Sequence, residues 1–531
     1  MDVIRQARLF RAIIRCQLAG VVLLLATACF NLDVTNPNAL DLSRAYVSPT
    51  SAEASIVGAW KVGANSMQGR TSGGTCAAVP LAAWANELTS TATLNGGLDP
   101  MLYAAEPRTA LDNTNVQNCA TRFAWYDAYG AIAGSREAFQ AIVSKGHRYG
   151  DTTVIKTGAD TPRLKIFAKF IIAMHTIRLG LLYDQAFITD TSTNPQQQQK
   201  LSPYKDVIAA GEAQMRNVIA DARATADFTT PATWINQNAI SRDELIRVAQ
   251  SWIQRAEVYS ARTPEERKAV NWNAVLARHD STISRDFAEK ADPNVANTTG
   301  TYINLSLSNA TVRINNRLLG PADTSGAYQA WLGQSIATRK SFAISTPDRR
   351  IHAAGDTTKA GTRFAYQTVA MSNLGTVGEY LGSRYRGIRY LNAAADSGRN
   401  AVVPYITVAE MNFIKAEALY NLGRKDEAAA IINPSRIAAG LEPVDANGTP
   451  NDGSCVPRKA NGSCGDLFDA LKYEKRMELF PLLAEVSYFD TRGWGELISG
   501  TPIHLPASGR DLASNGIAIY TFGGGGPGSA P

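Results

Sequence analysis

The sequence lacks the motifs by which many enzymes are recognised. It contains no G-x-S-x-G elbow of a serine hydrolase and no G-x-x-x-x-G-K-[ST] phosphate loop. Its five histidines are scattered, and none forms an H-E-x-x-H pair for zinc. Only 6 of its 531 residues are cysteines, and no C-x-x-C pair occurs. We therefore predict no catalytic residue, no metal site and no cofactor.

The sequence also lacks an apolar run long enough to span a membrane. Four arginines at its start precede the apolar run Leu18–Ala28, which is shorter than the roughly 20 residues that a hydrocarbon core requires. This pattern predicts a secretory signal peptide over residues 1–28. The stretch Leu25-Ala26-Thr27-Ala28-Cys29 resembles a bacterial lipobox, although Ala26 replaces the usual leucine. We predict diacylglycerol and palmitate on Cys29; ordinary cleavage near Ala28 is the alternative.

A strong excess of charge is absent too. The formal net charge is +6, and it falls to +3 when the signal peptide removes four arginines and one aspartate. This balance, without a dense Lys/Arg block, gives no argument for nucleic acid as a partner. The content of 45% hydrophobic and 19% charged residues is typical of a globular protein.

Four cysteines remain after the signal peptide and Cys29 are set aside. An exported protein meets an oxidising compartment, so an even number suggests two disulfides. Cys455 and Cys464 lie in one loop rich in glycine and asparagine, whereas Cys76 and Cys119 would close a longer loop. Zinc is the competing interpretation, without a supporting ligand spacing.

Helical periodicity dominates most of the chain. Val403–Leu441 predicts a helical hairpin in which the first helix begins at Pro404, Gly423 forms the C-cap and Pro434 interrupts the second helix. Its alternating small and bulky residues are typical of a tetratricopeptide-like hairpin, with an ordinary hairpin as the alternative. Further helices are predicted over Ala52–Met67, Arg122–Lys145, Pro162–Tyr183, Ser202–Ala222, Ser241–Ala261, Val270–Lys290 and Asp466–Phe480.

Two sections have little periodicity but contain many aromatic residues. They cover residues 69–107 and 291–399. Long irregular segments of this kind are often functional. The predicted organisation is a signal peptide (1–28), a lipidated tether (29–51), a helical scaffold (52–290) that includes the irregular segment 69–107, an irregular lobe (291–399), a C-terminal helical region (400–520) and a flexible tail (521–531).

Three stretches together carry a family resemblance. They are the lipobox followed by NLDVTNPN, the segment from VPYITVAEMNFIKAEALYNLG to SRIAAGL, and YEKRMELF followed by SYFDTRGWGEL. They resemble the SusD/RagB family of outer-membrane nutrient-binding lipoproteins. The matching residues are Tyr405, Ala409, Glu410, Ala416, Glu417, Ala418, Arg436, Ala439, Gly440, Leu441, Glu474, Arg476, Glu478, Leu479, Phe489, Asp490, Arg492 and Trp494. Thr407, Thr491 and Gly493 depart from the family pattern.

This resemblance implies a mainly α fold, in which tetratricopeptide-like helical hairpins form a SusD-like α/α superhelix beside an irregular, loop-rich lobe. It implies a protein anchored by lipid at the cell outer membrane, facing the outside. Such proteins bind an oligosaccharide, or in some cases a peptide, and deliver it to a SusC-like TonB-dependent transporter. No catalysis is implied.

Candidate ligand residues follow from the chemistry of sugars, whose rings present apolar faces and polar edges. A binding site therefore needs flat aromatic surfaces beside hydrogen-bonding side chains. The two irregular sections supply this mixture in Trp84, Asn86, Asn95 and Tyr103, and in Tyr328, Gln329 and Trp331. The alternative for each aromatic residue is that it packs its loop onto the helical core.

Carboxylates in the last third of the chain allow a different interpretation. Paired carboxylates can hydrolyse glycosidic bonds, and Glu410, Glu417, Glu474, Glu478 and Asp490 are candidates. They lie on strongly apolar helices beside arginine and lysine, which favours ion pairs that fix helix packing. A peptide-binding member of the same family, a secreted glycoside hydrolase and a protein-interaction scaffold remain the alternative functions.

Overall fold

The computed structural model describes residues 46, 48–68, 72–90, 105–114, 119–146, 160–194, 197, 200–290, 303, 306, 312–353, 356–367, 381–390 and 402–531. The chain divides into two compact units, Met1–Ser51 and Ala52–Pro531. In the first unit, the Ser51 N–H donates to Ser48 Oγ at 3.2 Å. The predicted signal peptide and Cys29 lie outside the described residues. None of the described helices combines the length and the apolar character that a membrane crossing requires.

The described chain is mainly α-helical, which confirms the predicted fold class. Its α-helices are α1 (Pro49–Gln68), α2 (Ser72–Trp84), α3 (Cys119–Ser144), α4 (Thr161–Leu182), α5 (Tyr204–Arg223), α6 (Arg242–Tyr259), α7 (Pro264–Lys268), α8 (Trp272–His279), α9 (Asn316–Leu319), α10 (Ala327–Gly333), α11 (Val408–Asn421), α12 (Lys425–Ala438), α13 (Leu467–Leu479), α14 (Ala484–Gly493) and α15 (Gly509–Ser514). The finer division at residues 290 and 399 stays a prediction.

Short strands form antiparallel pairs, two of which join distant parts of the chain. These pairs are β1 (Leu88–Ser90) with β5 (Val312–Ile314), β2 (Gln185–Phe187) with β3 (Leu201–Pro203), β4 (Phe287–Lys290) with β8 (Val402–Ile406), and β6 (Phe364–Tyr366) with β7 (Tyr385–Gly387). In the first pair Leu88 lies opposite Ile314. This pairing brings the chain after α2 close to the chain that leads into α9.

The helices α2 to α6 pack in chain order, and α4 is buried on nearly every side. A helix that is apolar all round belongs in the interior of a protein. Helices α4 and α5 cross closely at two glycines. A Cβ at Gly180 would lie 2.6 Å from Ile208 Cγ1, and one at Gly211 would lie 2.8 Å from the Ile177 nitrogen. Any side chain there would force the two helices apart.

The predicted hairpin is present as α11 and α12, but its first helix begins later than predicted. Pro404 lies in β8, and α11 begins at Val408 with Thr407 as its N-cap. The Glu410 N–H donates to Thr407 Oγ1 at 3.0 Å. The preceding residues are extended because they pair with β4. A proline at the start of a helix and one in a strand look alike in the sequence, and the pairing partner decides between them.

The second helix of the hairpin is also longer than predicted. Helix α12 continues through Pro434 to Ala438. Ile432 and Arg436 are buried on either side of that proline, and their packing offsets the lost backbone hydrogen bond. Gly423 has the positive φ, +78°, that a left-handed C-cap requires.

Two segments differ from the sequence interpretation in their secondary structure. The segment 69–107, predicted to be irregular, contains α2. The described end of α2 is buried, so its apolar residues do not form a periodic stripe. The predicted helix over 270–290 ends at His279, and Phe287–Lys290 is instead a strand, because β8 offers it a partner.

The glycine-rich C-terminus differs from the flexible tail predicted for 521–531. The Leu111 N–H donates to the Phe522 carbonyl at 2.9 Å, and the Ala530 N–H donates to the Thr501 carbonyl at 2.7 Å. The ring of Phe522 packs against His504, with centroids 4.5 Å apart. Backbone hydrogen bonds hold this segment without many side chains, which is why its composition did not reveal them.

The carboxylates of the last third form ion pairs, and all of these pairs are buried except the partly exposed pair of Glu478 with Arg363. The pairs are Glu410 with Arg255 (2.5 Å), Glu417 with Arg267 (2.7 Å), Glu474 with Arg350 (2.7 Å), Glu478 with Arg363 (2.5 Å) and Asp490 with Lys475 (2.7 Å). Each pair joins two different elements of the fold. The ion pairs expected for these carboxylates are therefore present.

Candidate functional site

A cavity of about 400 Å³ lies between the C-terminal helices and the chain around α9 and α10. Small-molecule sites commonly measure about 300–1,000 Å³. Its wall is formed by the chain after α2, the α9–α10 region, the loop 455–464, helix α13 and the chain after α14. Segments far apart in the sequence therefore meet at one site.

Helix α13 contributes one complete face to the cavity. Asp469, Lys472, Tyr473 and Arg476 follow one another at steps of three, one and three residues, which places them on the same side of a helix. Leu467, Ala470 and Leu471 occupy another side and pack in the core with α11 and α12. The helix itself was predicted over Asp466–Phe480, whereas its polar stripe is an additional feature of the site.

The loop 455–464 forms a second wall and is closed by a disulfide. The Sγ atoms of Cys455 and Cys464 are 2.02 Å apart, and residues 457–460 between them line the cavity. The Arg458 N–H donates to the Pro321 carbonyl at 2.7 Å, which ties this loop to the opposite wall. The side chains of Cys76 and Cys119 lie outside the described part, so their pairing stays a prediction.

Tyr328 on α10 is the predicted aromatic residue that lines the cavity. Its ring stacks on that of Trp331 with centroids 6.0 Å apart and planes 19° apart. Burial raises the pKa of the Tyr328 hydroxyl, so it keeps its proton at neutral pH. A Cβ at Gly320 would lie 2.2 Å from this ring, so a glycine at 320 leaves room for it. Trp331 itself is buried behind Tyr328 and does not line the cavity.

Asn86 also lines the cavity, at the turn after α2. Its φ is +59°, a left-handed conformation that asparagine tolerates better than most residues. Arg108 Nη2 donates to Asn86 Oδ1 at 3.0 Å, which orients the amide. Trp84, two residues earlier, is buried against Tyr488 at a centroid distance of 5.8 Å and lies outside the cavity lining.

The remaining predicted ligand residues have different positions. Gln329 is not part of the lining, but its Nε2 donates to the Lys459 carbonyl at 3.0 Å and so connects α10 to the loop 455–464. Asn95 and Tyr103 lie outside the described residues. The structure thus brings Asn86 and Tyr328 together at one cavity, with Trp331 and Gln329 directly behind it.

Charged groups dominate the floor of the cavity. Lys472 Nζ lies 3.0 Å from Asp469 Oδ1 and 2.6 Å from Glu496 Oε1, while Arg476 Nη2 lies 2.5 Å from Glu496 Oε2. Burial by itself would raise the pKa of Glu496, but Arg476 and Lys472 outweigh it and hold that pKa below its ordinary value. Burial likewise opposes the charge of Lys472, and Glu496 overcomes it, so the Lys472 pKa is raised.

A second hollow, of about 360 Å³, lies between α5 and the α6–α7 region. No aromatic ring lines it within the described chain, and Glu212, Glu257 and Glu266 contribute acidic groups to its wall. The first cavity combines an aromatic surface with amide, cationic and anionic groups; a hollow beside Phe287 and Asn238 has the same mixture but a volume of only about 20 Å³. Such a combination can stack on an apolar ligand face and hydrogen-bond to polar edges.

The sequence matches no family model, and no curated protein matches it either. Solved structures do match the fold. A SusD superfamily protein from Bacteroides thetaiotaomicron VPI-5482 superposes with a TM-score of 0.54 at 12% identity, covering 89% of this chain and 97% of that one. A laminarin-binding SusD-like protein gives 0.53 at 13% identity, covering 90% and 99%. A SusD superfamily protein from Parabacteroides distasonis ATCC 8503 gives 0.53 at 12% identity, covering 88% and 97%. The chain therefore has a SusD-like fold, as the family resemblance implied.

Proposed function

We propose that this protein with a SusD-like fold captures an extracellular oligosaccharide in the cavity beside Tyr328 and delivers it to a TonB-dependent transporter. The observation that carries the proposal is the cavity itself, where an aromatic ring lies beside Asn86 and the charged face of α13. A laminarin-binding protein among the structures that share the fold adds support.

In the proposed binding mode, the Tyr328 ring covers the apolar face of one sugar. Asn86, Lys472 and Arg476 donate hydrogen bonds to ring hydroxyls, and Glu496 accepts one. Gln329 and Trp331 act indirectly by holding the loop 455–464 and the Tyr328 ring. Binding is reversible, because stacking and hydrogen bonds form without covalent chemistry.

Other parts of the chain complete the proposal. Asn95 and Tyr103 extend the ligand surface, and Trp84 supports the turn that carries Asn86. Lipid on Cys29 anchors the protein at the outer membrane, because burying acyl chains contributes about 0.8 kcal/mol per CH₂. The anchored protein faces outwards. A Cys29→Ala variant is expected to lose palmitate labelling and to leave the membrane fraction.

Glycoside hydrolysis is the main alternative, because Asp469 and Glu496 both line the cavity. A hydrolase of the usual kind needs one carboxyl group that is protonated before the reaction. Here Lys472 bonds to both carboxylates, and the pKa of Glu496 is lowered rather than raised. Both observations favour binding over acid catalysis.

The proposal is tested by screening glycans and peptides for binding to the purified chain without Met1–Cys29. We expect glycans to bind and to remain uncleaved, as checked by chromatography of the recovered ligand. Binding of peptides alone would replace the oligosaccharide with another ligand class, and cleavage would establish a hydrolase. If neither ligand class binds and no TonB-dependent transporter copurifies with the lipoprotein, nutrient capture is excluded.

Variants locate the site. Tyr328→Ala is expected to weaken glycan binding by about tenfold or more, since stacking contacts of aromatic residues contribute about 0.5–1.5 kcal/mol beyond the area they bury. Tyr328→Phe keeps the ring and is expected to retain most of the affinity. Tyr129→Ala removes a half-buried ring from α3, distant in the sequence from every lining segment, and serves as the control. Equal loss in the two alanine variants would contradict the assigned site.

A further inference from the structure

The charges around the cavity are not balanced. Five cations of the described chain line it, namely Arg317, Arg458, Lys459, Lys472 and Arg476. Among the described residues, only Asp469 and Glu496 contribute carboxylates to the same lining. An excess of positive charge in a partly enclosed, low-dielectric space attracts anions more strongly than the same charges would in bulk water.

Carboxylates behind the lining reduce this excess but do not remove it. Glu106 is shared by Arg317 at 3.0 Å and Arg339 at 3.3 Å, and Asp466 lies 2.9 Å from Lys459. With these partners included, six cations face four carboxylates. The part of the cavity that the structure describes keeps two positive charges in excess.

Arg458 carries the clearest part of this excess. Its Nη2 donates to the Gly453 carbonyl, a neutral acceptor, and its Nε is buried without a hydrogen-bond partner among the described residues. The Nε of Arg317 is in the same condition. Buried donors of this kind are costly to leave unpaired, and arginine matches planar or tetrahedral oxyanions well.

We infer that the cavity selects an acidic oligosaccharide, whose carboxylate or sulfate groups pair with Arg458 and Arg317. This inference rests on the proposed glycan-binding function and names the ligand class of the same site. A neutral sugar offers only hydroxyls to these donors, whereas an anionic sugar offers charge-assisted hydrogen bonds, which are roughly twice as strong.

The test uses the purified full chain in mild detergent on an array of uronate-containing, sulfated and neutral oligosaccharides. Hits are then measured by calorimetry as matched pairs, an oligogalacturonate against its methyl ester and a sulfated galactan oligosaccharide against its desulfated form. We expect at least one acidic member to bind about tenfold tighter than its neutral partner. The two pairs distinguish carboxylate from sulfate as the recognised group.

Two further measurements separate electrostatic selection from general damage. Raising the salt concentration from about 0.05 M to about 0.5 M should weaken binding of the acidic ligand more than binding of the neutral one, because the added ions screen the attraction between the anionic ligand and the cationic cavity. Arg458→Gln should reduce the ratio of acidic to neutral affinity by about tenfold. Arg424→Gln, an equal charge change at an exposed position, is the control and should leave that ratio unchanged.

The outcomes are distinct. Equal binding of both members of each pair, or hits among neutral glycans only, overturns the acidic selection and leaves the proposed function standing. The inferred role of the cationic groups is also overturned if acidic glycans bind preferentially but neither salt nor Arg458→Gln reduces this preference. Absence of any glycan binding overturns the proposed function as well.

Discussion

The buried ion-pair cluster at Glu417 provides the sharpest test of how this scaffold is held together. Glu417 on α11 accepts from Arg267 Nε and Nη2, both at 2.7 Å, and Arg267 Nη2 also lies 2.9 Å from Asp490 on α14. Lys475 on α13 completes the cluster, 2.7 Å from Asp490. Four charges therefore join four helices and sum to zero. Glu417→Ala removes one of the two negative charges.

The size of the effect follows from burial. The side chains of Glu417, Arg267 and Asp490 are 0%, 4% and 4% exposed, so water cannot replace the lost carboxylate. Arg267 and Lys475 would then share one anion. Breaking a buried ion pair from one side costs about 3–5 kcal/mol. Since single domains are stable by about 5–15 kcal/mol, the variant should lose a large fraction of its stability.

The assay is urea unfolding of the full chain, followed by circular dichroism. Glu417→Gln keeps the size of the side chain and should lose less than Glu417→Ala. The double variant Arg267→Met with Glu417→Met should be more stable than Glu417→Ala, because it leaves the Asp490–Lys475 pair balanced. Glu427→Ala removes an exposed carboxylate from α12 and should leave the midpoint unchanged. Equal midpoints for Glu417→Ala and Glu427→Ala would refute this account of the cluster.

Three other predictions concern packing, pH and the cavity loop. Gly63→Ala should lower the free energy of unfolding in urea by about 1–3 kcal/mol, because its Cβ would lie 1.9 Å from His175 Nε2. Gly58→Ala on the same helix is the control; its Cβ would have nothing within 4 Å, so this change should raise the free energy of unfolding by about 0.5–1 kcal/mol. Burial lowers the pKa of His175 from 6.5 to about 3, so between these two pH values the unfolded chain binds a proton that the folded chain does not. The free energy of unfolding should therefore fall as the pH drops from 6.5 towards 3. His175→Leu should reduce this pH dependence, as measured by urea unfolding at several pH values. Replacing Cys455 and Cys464 with serine opens a loop of sequence separation 9 and should lower the free energy of unfolding in urea by about 2–3 kcal/mol. Because this loop lines the cavity, the same change should weaken glycan binding in calorimetry, and an unchanged affinity would contradict the role of the loop.

The scaffold was largely predictable because its signals are local. Helices α1, α3, α4, α6 and α13 lie within a few residues of their predicted limits, and Ser241 forms a capping box with Glu244 at the start of α6. Long amphipathic helices and their caps depend on neighbours in the chain. The strands were harder, since Val402–Ile406 and Phe287–Lys290 are extended only because they pair with each other across more than a hundred residues.

The site was predictable only in part. Asn86 and Tyr328 were selected because sugars need an amide and an aromatic ring, and both line the cavity. Trp84 and Trp331 have the same chemistry but do not line the cavity, and composition alone cannot distinguish a ring that faces a cavity from one that packs behind it. The cationic wall was missed because Arg317, Arg458 and Arg476 lie on three separate elements, namely α9, the loop 455–464 and α13. Their shared charge is visible only after the chain has folded.

The family-like stretch YEKRMELF lies largely on helix α13, and this helix contributes both to the scaffold and to the cavity wall. Glu474 faces the interior, where it pairs with Arg350, and Glu478 pairs with Arg363 at the side of the helix. Arg476 lies between them in sequence and faces the cavity, because a step of two residues turns a helix through more than half a revolution. The buried pair of Glu474 with Arg350 holds the rotation of α13 about its axis, and this rotation determines where Lys472 and Arg476 lie. A change to the scaffold ion pairs would therefore displace the ligand-facing charges without touching them.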